Sequence, residues 1–386
     1  MKDAIKLKLS LLIFFLALIA FLSLAACRAT IGTSDQKAIQ LSDHFDGSLY
    51  FNPGLASTPS QEPKRGGSVW IWRWLFGSEW PEWPEVKDAS SGPPPAVRVP
   101  KGTLRITPIG HATFLIQMDG LNILVDPIWS DRCSPVSWIG PKRHTNPGLR
   151  FEDLPPIDIV LVSHNHYDHL DLPTLKHLAK KGTPRALVTL GNLDLVRDSG
   201  IPEVEEFDWW QSAHLSSDVT VTLVPAQHFS SRTLWDRNRT LWGGFVVSGP
   251  SGKVFYPGDT GYGPHFREIA SRFSPITAAL LPISPFRSQA LNELSPDHRR
   301  SVHMGPAEAV QAHLDLRAKV SIAAHFRVFQ LGSDGFDDAV YGLAVSLMNR
   351  NLNPDAFIAL SPGRSLELTT HLNDIYSSVN TETIRY

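Results

Sequence analysis

Only two cysteines, Cys27 and Cys133, occur in 386 residues. A disulfide framework is therefore ruled out, and stability has to come from a buried core. An excess of either charge is missing too. The formal net charge is −2, and no block of like charges forms a tail. That removes the electrostatic case for a nucleic-acid partner. No self-similarity recurs at solenoid periods, so a stacked-repeat architecture is excluded. The length suits one large domain or two small ones.

What is present begins with a targeting pattern. Lys2, Lys6 and Lys8 precede an apolar run that ends in small residues, Ala25-Ala26-Cys27. This resembles a bacterial lipobox, in which cleavage precedes the cysteine and the cysteine then carries lipid. The alternative is an uncleaved anchor, because the run approaches spanning length. The expected organisation is a lipoprotein signal peptide over 1–26, a linker and Trp/Pro-rich extension over 27–99, and a catalytic-size domain over 100–386. The expected location is the bacterial cell envelope, with the membrane as a partner through lipidated Cys27. Cys133 is then a lone thiol, read as a small buried side chain. Trp70, Trp72, Trp74, Trp80 and Trp83 crowd the extension. They are expected to clamp it onto the domain, with an interfacial collar as the alternative.

From Leu104 the pattern is short strands and turns, then strands alternating with helices. "LRITPIG", "TFLIQMDG" and "NILVDP" read as a meander turning at Asp119-Gly120. "IDIVLVS" reads as a strand buried on both faces. "LPTLKHLAKKG" reads as a helix with Asp171 at its N-cap and Gly182 at its stop. Layered sheets covered by helices follow from this order.

The chemistry-bearing residues fall at strand exits. "SHNHYDHLD" follows the buried strand and supplies His164, His166, Asp168 and His169. His228 ends "VTVTLVPAQH", Asp259 ends "KVFYPGD" and His325 ends "KVSIAAH". Strand ends are held rigidly and can converge on one rim. Imidazole nitrogen and carboxylate oxygen suit zinc, and also iron or manganese. A carboxylate such as Asp259 can bridge two ions, and two ions can clamp a displacement at phosphorus or carbonyl carbon. A lone His-x-His is weak. His-x-His-x-Asp-His after a buried strand, with His, Asp and His at later strand ends, points strongly to a metal site.

These motifs resemble the metallo-β-lactamase superfamily. "HATFLIQ", "DPIWS", "GPKR" and "GYGPHFREIASRF" narrow the resemblance to the N-acylphosphatidylethanolamine-hydrolysing phospholipase D family. The resemblance implies an α+β, four-layer αββα sandwich. It implies two divalent ions, most naturally zinc, with iron and manganese as alternatives. His164, His166 and His228 would hold one ion. Asp168, His169 and His325 would hold the other, and Asp259 would bridge them. Asp126 would orient a ligand, and His303 would sit over the site. His111 reads either as a site residue or as a hydrogen-bonded strand histidine.

The expected activity is cleavage of N-acylphosphatidylethanolamine to phosphatidate and N-acylethanolamine. Alternatives are a lactone, a cyclic nucleotide or another phosphodiester at the same site, and a non-catalytic lipid-binding lipoprotein. Partners are the phospholipid and the membrane, with no nucleic acid; monomer and homodimer both stay open. Two departures from the family pattern bear on substrate. Gly305 stands where the family has Asn or Asp, and "FRVFQ" follows His325 in place of Trp-Gly-Thr.

Overall fold

A computed structural model describes residues 42–53, 80–86, 93–286, 302–369 and 377–379. The signal-like segment with Cys27 lies outside them, as do Trp70, Trp72 and Trp74. Among the described residues no helix is long and apolar enough to cross a membrane.

Two sheets form the centre. The first arises from the meander β1 (Thr103–Gly110), β2 (Thr113–Met118) and β3 (Leu121–Val125). Asp119 and Gly120 both take positive φ, 51° and 90°, as a tight hairpin turn between twisted strands demands. β4 (Ile159–Val162), β5 (Arg185–Thr189) and β6 (Glu203–Phe207) then add in parallel. β14 (Leu366–Thr369) pairs with β1, and β15 (Ser377–Val379) pairs with β14, completing eight strands. The second sheet has seven strands. It comprises β7 (Ser212–His214), β8 (Thr220–Val224), β9 (Gly244–Gly249), β10 (Gly252–Tyr256), β11 (Ile276–Pro282), β12 (Ala318–Ala324) and β13 (Phe357–Ile358).

Side-chain alternation sorts these strands into layers. Ile159 and Leu161 on β4 face inward and pack with Leu223, Phe245 and Leu280 from the other sheet. Val160 and Val162 face outward, onto Leu175 and Leu178 of α1 (Leu172–Lys181). The second sheet repeats this. Phe255, Ala279 and Leu281 pack against Phe266 and Ile269 of α3 (His265–Phe273) and Val310 of α4 (Pro306–Leu316). Leu343 and Leu347 of α5 (Asp338–Asn349) join the same layer. A short helix, α2 (Leu193–Arg197), lies beside β5 and β6. The order is helix, sheet, sheet, helix, the αββα sandwich expected from the sequence.

Three readings gain detail. Asp171 does precede α1, but its carboxylate accepts from Ser130 Oγ at 2.9 Å and Thr174 Oγ1 at 2.5 Å, not from a helix N–H. Trp83 is buried and donates from Nε1 to the Asp334 carbonyl at 2.8 Å, so this part of the extension packs inward. Cys133 is buried, and burial pushes its thiol well above the usual range.

Candidate metal centre

β3, β4, β8, β10 and β12 end on one side of the sandwich, and each delivers a site residue there. Ligands collect beyond the carboxyl ends of strands because the loops leave from that edge. Asp126 follows β3, His164 to His169 follow β4, His228 follows β8, Asp259 follows β10 and His325 follows β12.

The first donor group is three imidazoles. His166 Nδ1 lies 2.9 Å from His164 Nε2 and 3.2 Å from His228 Nε2. The second group is mixed. Asp168 Oδ2 is 3.3 Å from both His169 Nε2 and His325 Nε2. Asp259 closes it, with Oδ1 3.3 Å from His169 Nε2 and Oδ2 3.2 Å from His325 Nε2. Asp259 Oδ2 also lies 3.9 Å from His228 Nε2, so the carboxylate stands between the groups.

These separations fit metal ions. Ligand atoms on a tetrahedral ion with bonds of roughly 2.0 Å stand about 3.3 Å apart. His169 Nε2 and Asp259 Oδ1 are buried without a hydrogen-bond partner, a costly state for polar atoms unless a cation occupies the space they face. Burial, reinforced by neighbouring rings, holds His164 well below its usual pKa, and burial takes His166 down to about 4. His228 is lowered by burial as well, despite the opposing Asp259 charge. All three are neutral imidazoles with lone pairs to give. In the second group burial opposes charge, but the carboxylates prevail: His325 rises to about 9, chiefly through Asp259 after burial is overcome, and His169 is raised well above its usual value. Asp168 and Asp259 are held well below theirs by the facing histidines, against burial.

The outer nitrogens are fixed by partners that set which atom faces inward. Asp126 accepts from His169 Nδ1 at 2.6 Å, from the Ser163 backbone N–H at 2.8 Å, and from the hydroxyls of Ser163 and Tyr256. It touches neither donor group's inner face except through His169, which is the orienting place the resemblance implied. His228 Nδ1 donates to the Val302 carbonyl at 2.8 Å. Asn52, from the extension, brackets the His228 backbone at 2.8 and 3.2 Å. His111 is hydrogen-bonded and abuts the second group. Its Nε2 donates to Asp168 Oδ2 at 2.9 Å, and its ring lies 3.9 Å from that of His325. His303 is partly exposed, with Nδ1 3.6 Å from Asp259 Oδ2.

Ser163, Tyr256 and Asn52 were not among the candidate site residues, because a serine, a strand tyrosine and a loop asparagine carry no ligand signature. The departures at Gly305 and after His325 now have a physical setting. A Cβ on Gly305 would lie 2.9 Å from Phe286 Cβ, so Phe286 and Gly305 share one space. Val328 and Phe329 pack with Ile128 and Cys133, and the Phe329 ring lies edge-on to His111 at 5.2 Å.

Comparison with known proteins gives a consistent picture. The profile described as a beta-lactamase superfamily domain matches residues 121–326, more than half of the chain. An uncharacterised protein of Mycobacterium tuberculosis is 38% identical over 67% of this chain and 71% of its own length. N-acyl-phosphatidylethanolamine-hydrolyzing phospholipase D 1 of Caenorhabditis elegans is 34% identical over 58% of this chain and 64% of its length. A metal-dependent hydrolase of Methanopyrus kandleri is 31% identical over 58% of this chain and 85% of its length. Among solved structures, an isothiocyanate hydrolase from Delia radicum gut bacteria superposes with a TM-score of 0.52. It is 17% identical, covers 69% of this chain and all of its own, and bears on the fold alone.

Proposed function

The chain belongs to the metallo-β-lactamase superfamily as a metal-dependent hydrolase, and from that premise we propose a two-metal phosphodiesterase that cleaves N-acylphosphatidylethanolamine. Asp259 is the observation that carries this reading. Its carboxylate lies within 3.9 Å of histidines from both donor groups, the place of a bridge between two ions. His164, His166 and His228 would hold one ion; Asp168, His169 and His325 would hold the other. When bound, two such ions make a hydroxide nucleophile available near neutral pH and neutralise phosphate charge. Zinc suits this nitrogen-rich set, with iron and manganese as alternatives.

The protein's own groups do the rest. Asp126 and His111 keep His169 and Asp168 aimed inward. His303, beside Asp259 and open to the rim, is placed to pass a proton to the leaving alkoxide. Water adds to phosphorus, the bond from phosphorus to the N-acylethanolamine oxygen breaks, and phosphatidate remains. The phospholipase D relative supports the substrate class, since it shares about a third of its residues over the matched region. Lipidation of Cys27 would tether the site to the envelope membrane that supplies the lipid.

The test is a substrate panel on detergent-solubilised, metal-loaded protein. Release of phosphatidate and N-acylethanolamine is expected. Turnover of a soluble lactone or cyclic nucleotide without turnover of the N-acyl phospholipid would refute the substrate, and absence of bound metal would favour a non-catalytic lipid-binding role. Asp259→Asn is expected to lose metal and to cut turnover by about a hundredfold or more.

A further inference from the structure

We infer that Arg232 is a positioning residue that holds the His164–His169 segment in its ligating shape. This rests on the reading of that segment as metal-binding, and not on the choice of substrate. Arg232 lies four residues beyond His228 and is buried, at 9% exposure. Among the described residues no carboxylate forms an ion pair with it. A buried guanidinium without such a partner is costly, so its remaining contacts have to repay it.

Those contacts all go to one loop. Nη1 donates to the Asn165 carbonyl at 2.7 Å and to the Leu170 carbonyl at 2.9 Å. These two carbonyls frame His166, Tyr167, Asp168 and His169. The guanidinium carbon sits 3.9 Å from the Tyr167 ring centroid, a cation–π contact, and the Tyr167 hydroxyl returns a bond to the Arg232 carbonyl at 3.1 Å. The neighbouring Ser231 N–H donates to Asn165 Oδ1 at 3.0 Å. Arg232 is itself fixed, because Asp236 accepts from its N–H at 3.0 Å and from the Thr233 N–H at 2.7 Å.

The loop needs this outside support. Its own backbone bonds run from the His169 and Leu170 N–H groups to one acceptor, the His166 carbonyl. These two bonds close one turn between the His164–His166 end and the Asp168–His169 end, and the Arg232 nitrogen, bonded to the carbonyls on both sides of that turn, clamps it from outside. The two ends carry residues of different donor groups, so Arg232 would help hold the two groups in register. Ligand geometry must hold within about 0.5 Å for productive binding.

The experiment compares full-length wild type with Arg232→Met, Arg232→Lys and Tyr167→Leu. Zinc affinity is read by chelator competition, and the cobalt(II)-loaded absorption spectrum reports ligand geometry. Metal-free melting reports the fold separately. Arg232→Met is expected to weaken zinc binding by about 10- to 100-fold and to alter the cobalt spectrum. Arg232→Lys is expected to recover part of both, since an ammonium reaches carbonyls but cannot stack as a plane. Tyr167→Leu is expected to fall between. If Arg232→Met melts lower but binds zinc with unchanged affinity and spectrum, Arg232 only stabilises the fold and the inference fails. If Arg232→Met does not fold, the lysine and Tyr167 variants decide by the same two readouts. Wild type that binds no metal would overturn the metal-site reading itself, and this inference with it.

Discussion

Replacing Asp126 with Asn keeps its volume but leaves one acceptor oxygen for four donors. Ser163 N–H points at Oδ1, while the Ser163 hydroxyl, the Tyr256 hydroxyl and His169 Nδ1 converge on Oδ2. Hydroxyls can rotate and accept from an amide, but the two N–H groups cannot. If the new amide nitrogen takes the Oδ1 place, the Ser163 N–H is stranded. If it takes the Oδ2 place, His169 Nδ1–H is stranded, or the ring switches tautomer and carries its proton on Nε2. That nitrogen is the one facing Asp168 and Asp259. A stranded buried donor costs about 1–3 kcal/mol, and the lost bonds to a charged acceptor raise the total toward about 3–5 kcal/mol. Metal affinity should fall by about 10- to 100-fold, equivalent to about 1.4–2.7 kcal/mol. Chemical denaturation of chelator-treated protein measures the first quantity, and chelator competition measures the second. A variant within about 0.5 kcal/mol of wild type, binding zinc with unchanged affinity, would refute the orienting role.

Gly305→Asn should destabilise the fold by about 1–3 kcal/mol through overpacking against Phe286, and Phe286→Gly, which removes the Cβ that the new side chain meets, should remove most of that penalty; equal penalties in both backgrounds would disprove the shared space. Metal binding should release protons and strengthen from pH 6 to about 9, because His325 is held protonated to about 9 in the metal-free protein; calorimetry in buffers of different ionisation enthalpy would show none if the assignment is wrong. In that metal-free protein the raised His325 pKa contributes stability below pH 6.5, and the contribution fades as pH climbs through about 9. Cys133 should resist alkylation until the protein unfolds, as peptide mapping would reveal, because its thiol is buried and its pKa raised.

The candidate donors were legible because metal chemistry restricts residue types and strand ends restrict position. His164, His166, Asp168, His169, His228, Asp259 and His325 stand out as histidines and aspartates directly after apolar runs. Most strands and helices were legible for a similar reason, since burial on one or both faces imposes a period. β6 was not, because "EVEEF" looks too acidic for a strand. It is the edge of its sheet: Glu203 is exposed while Val204 and Phe207 are buried, and charge on an edge discourages further pairing. β14 escaped too, since its partner β1 lies more than 250 residues earlier.

By itself the sequence determined the layered fold and marked the histidines and aspartates at strand ends as candidate ligands. Those depend on local pattern and on the narrow choice of atoms that bind a divalent ion. Only the tertiary structure decided which nitrogen each histidine presents, because that follows from partners remote in the chain: Asp126 for His169 and the Val302 carbonyl for His228. It also decided that Arg232 bonds the carbonyls on either side of the His166–His169 stretch and that Phe286 fills the space beside Gly305. Arginine, phenylalanine and glycine are compatible with many settings, so their roles exist only once the chain has brought their neighbours to them.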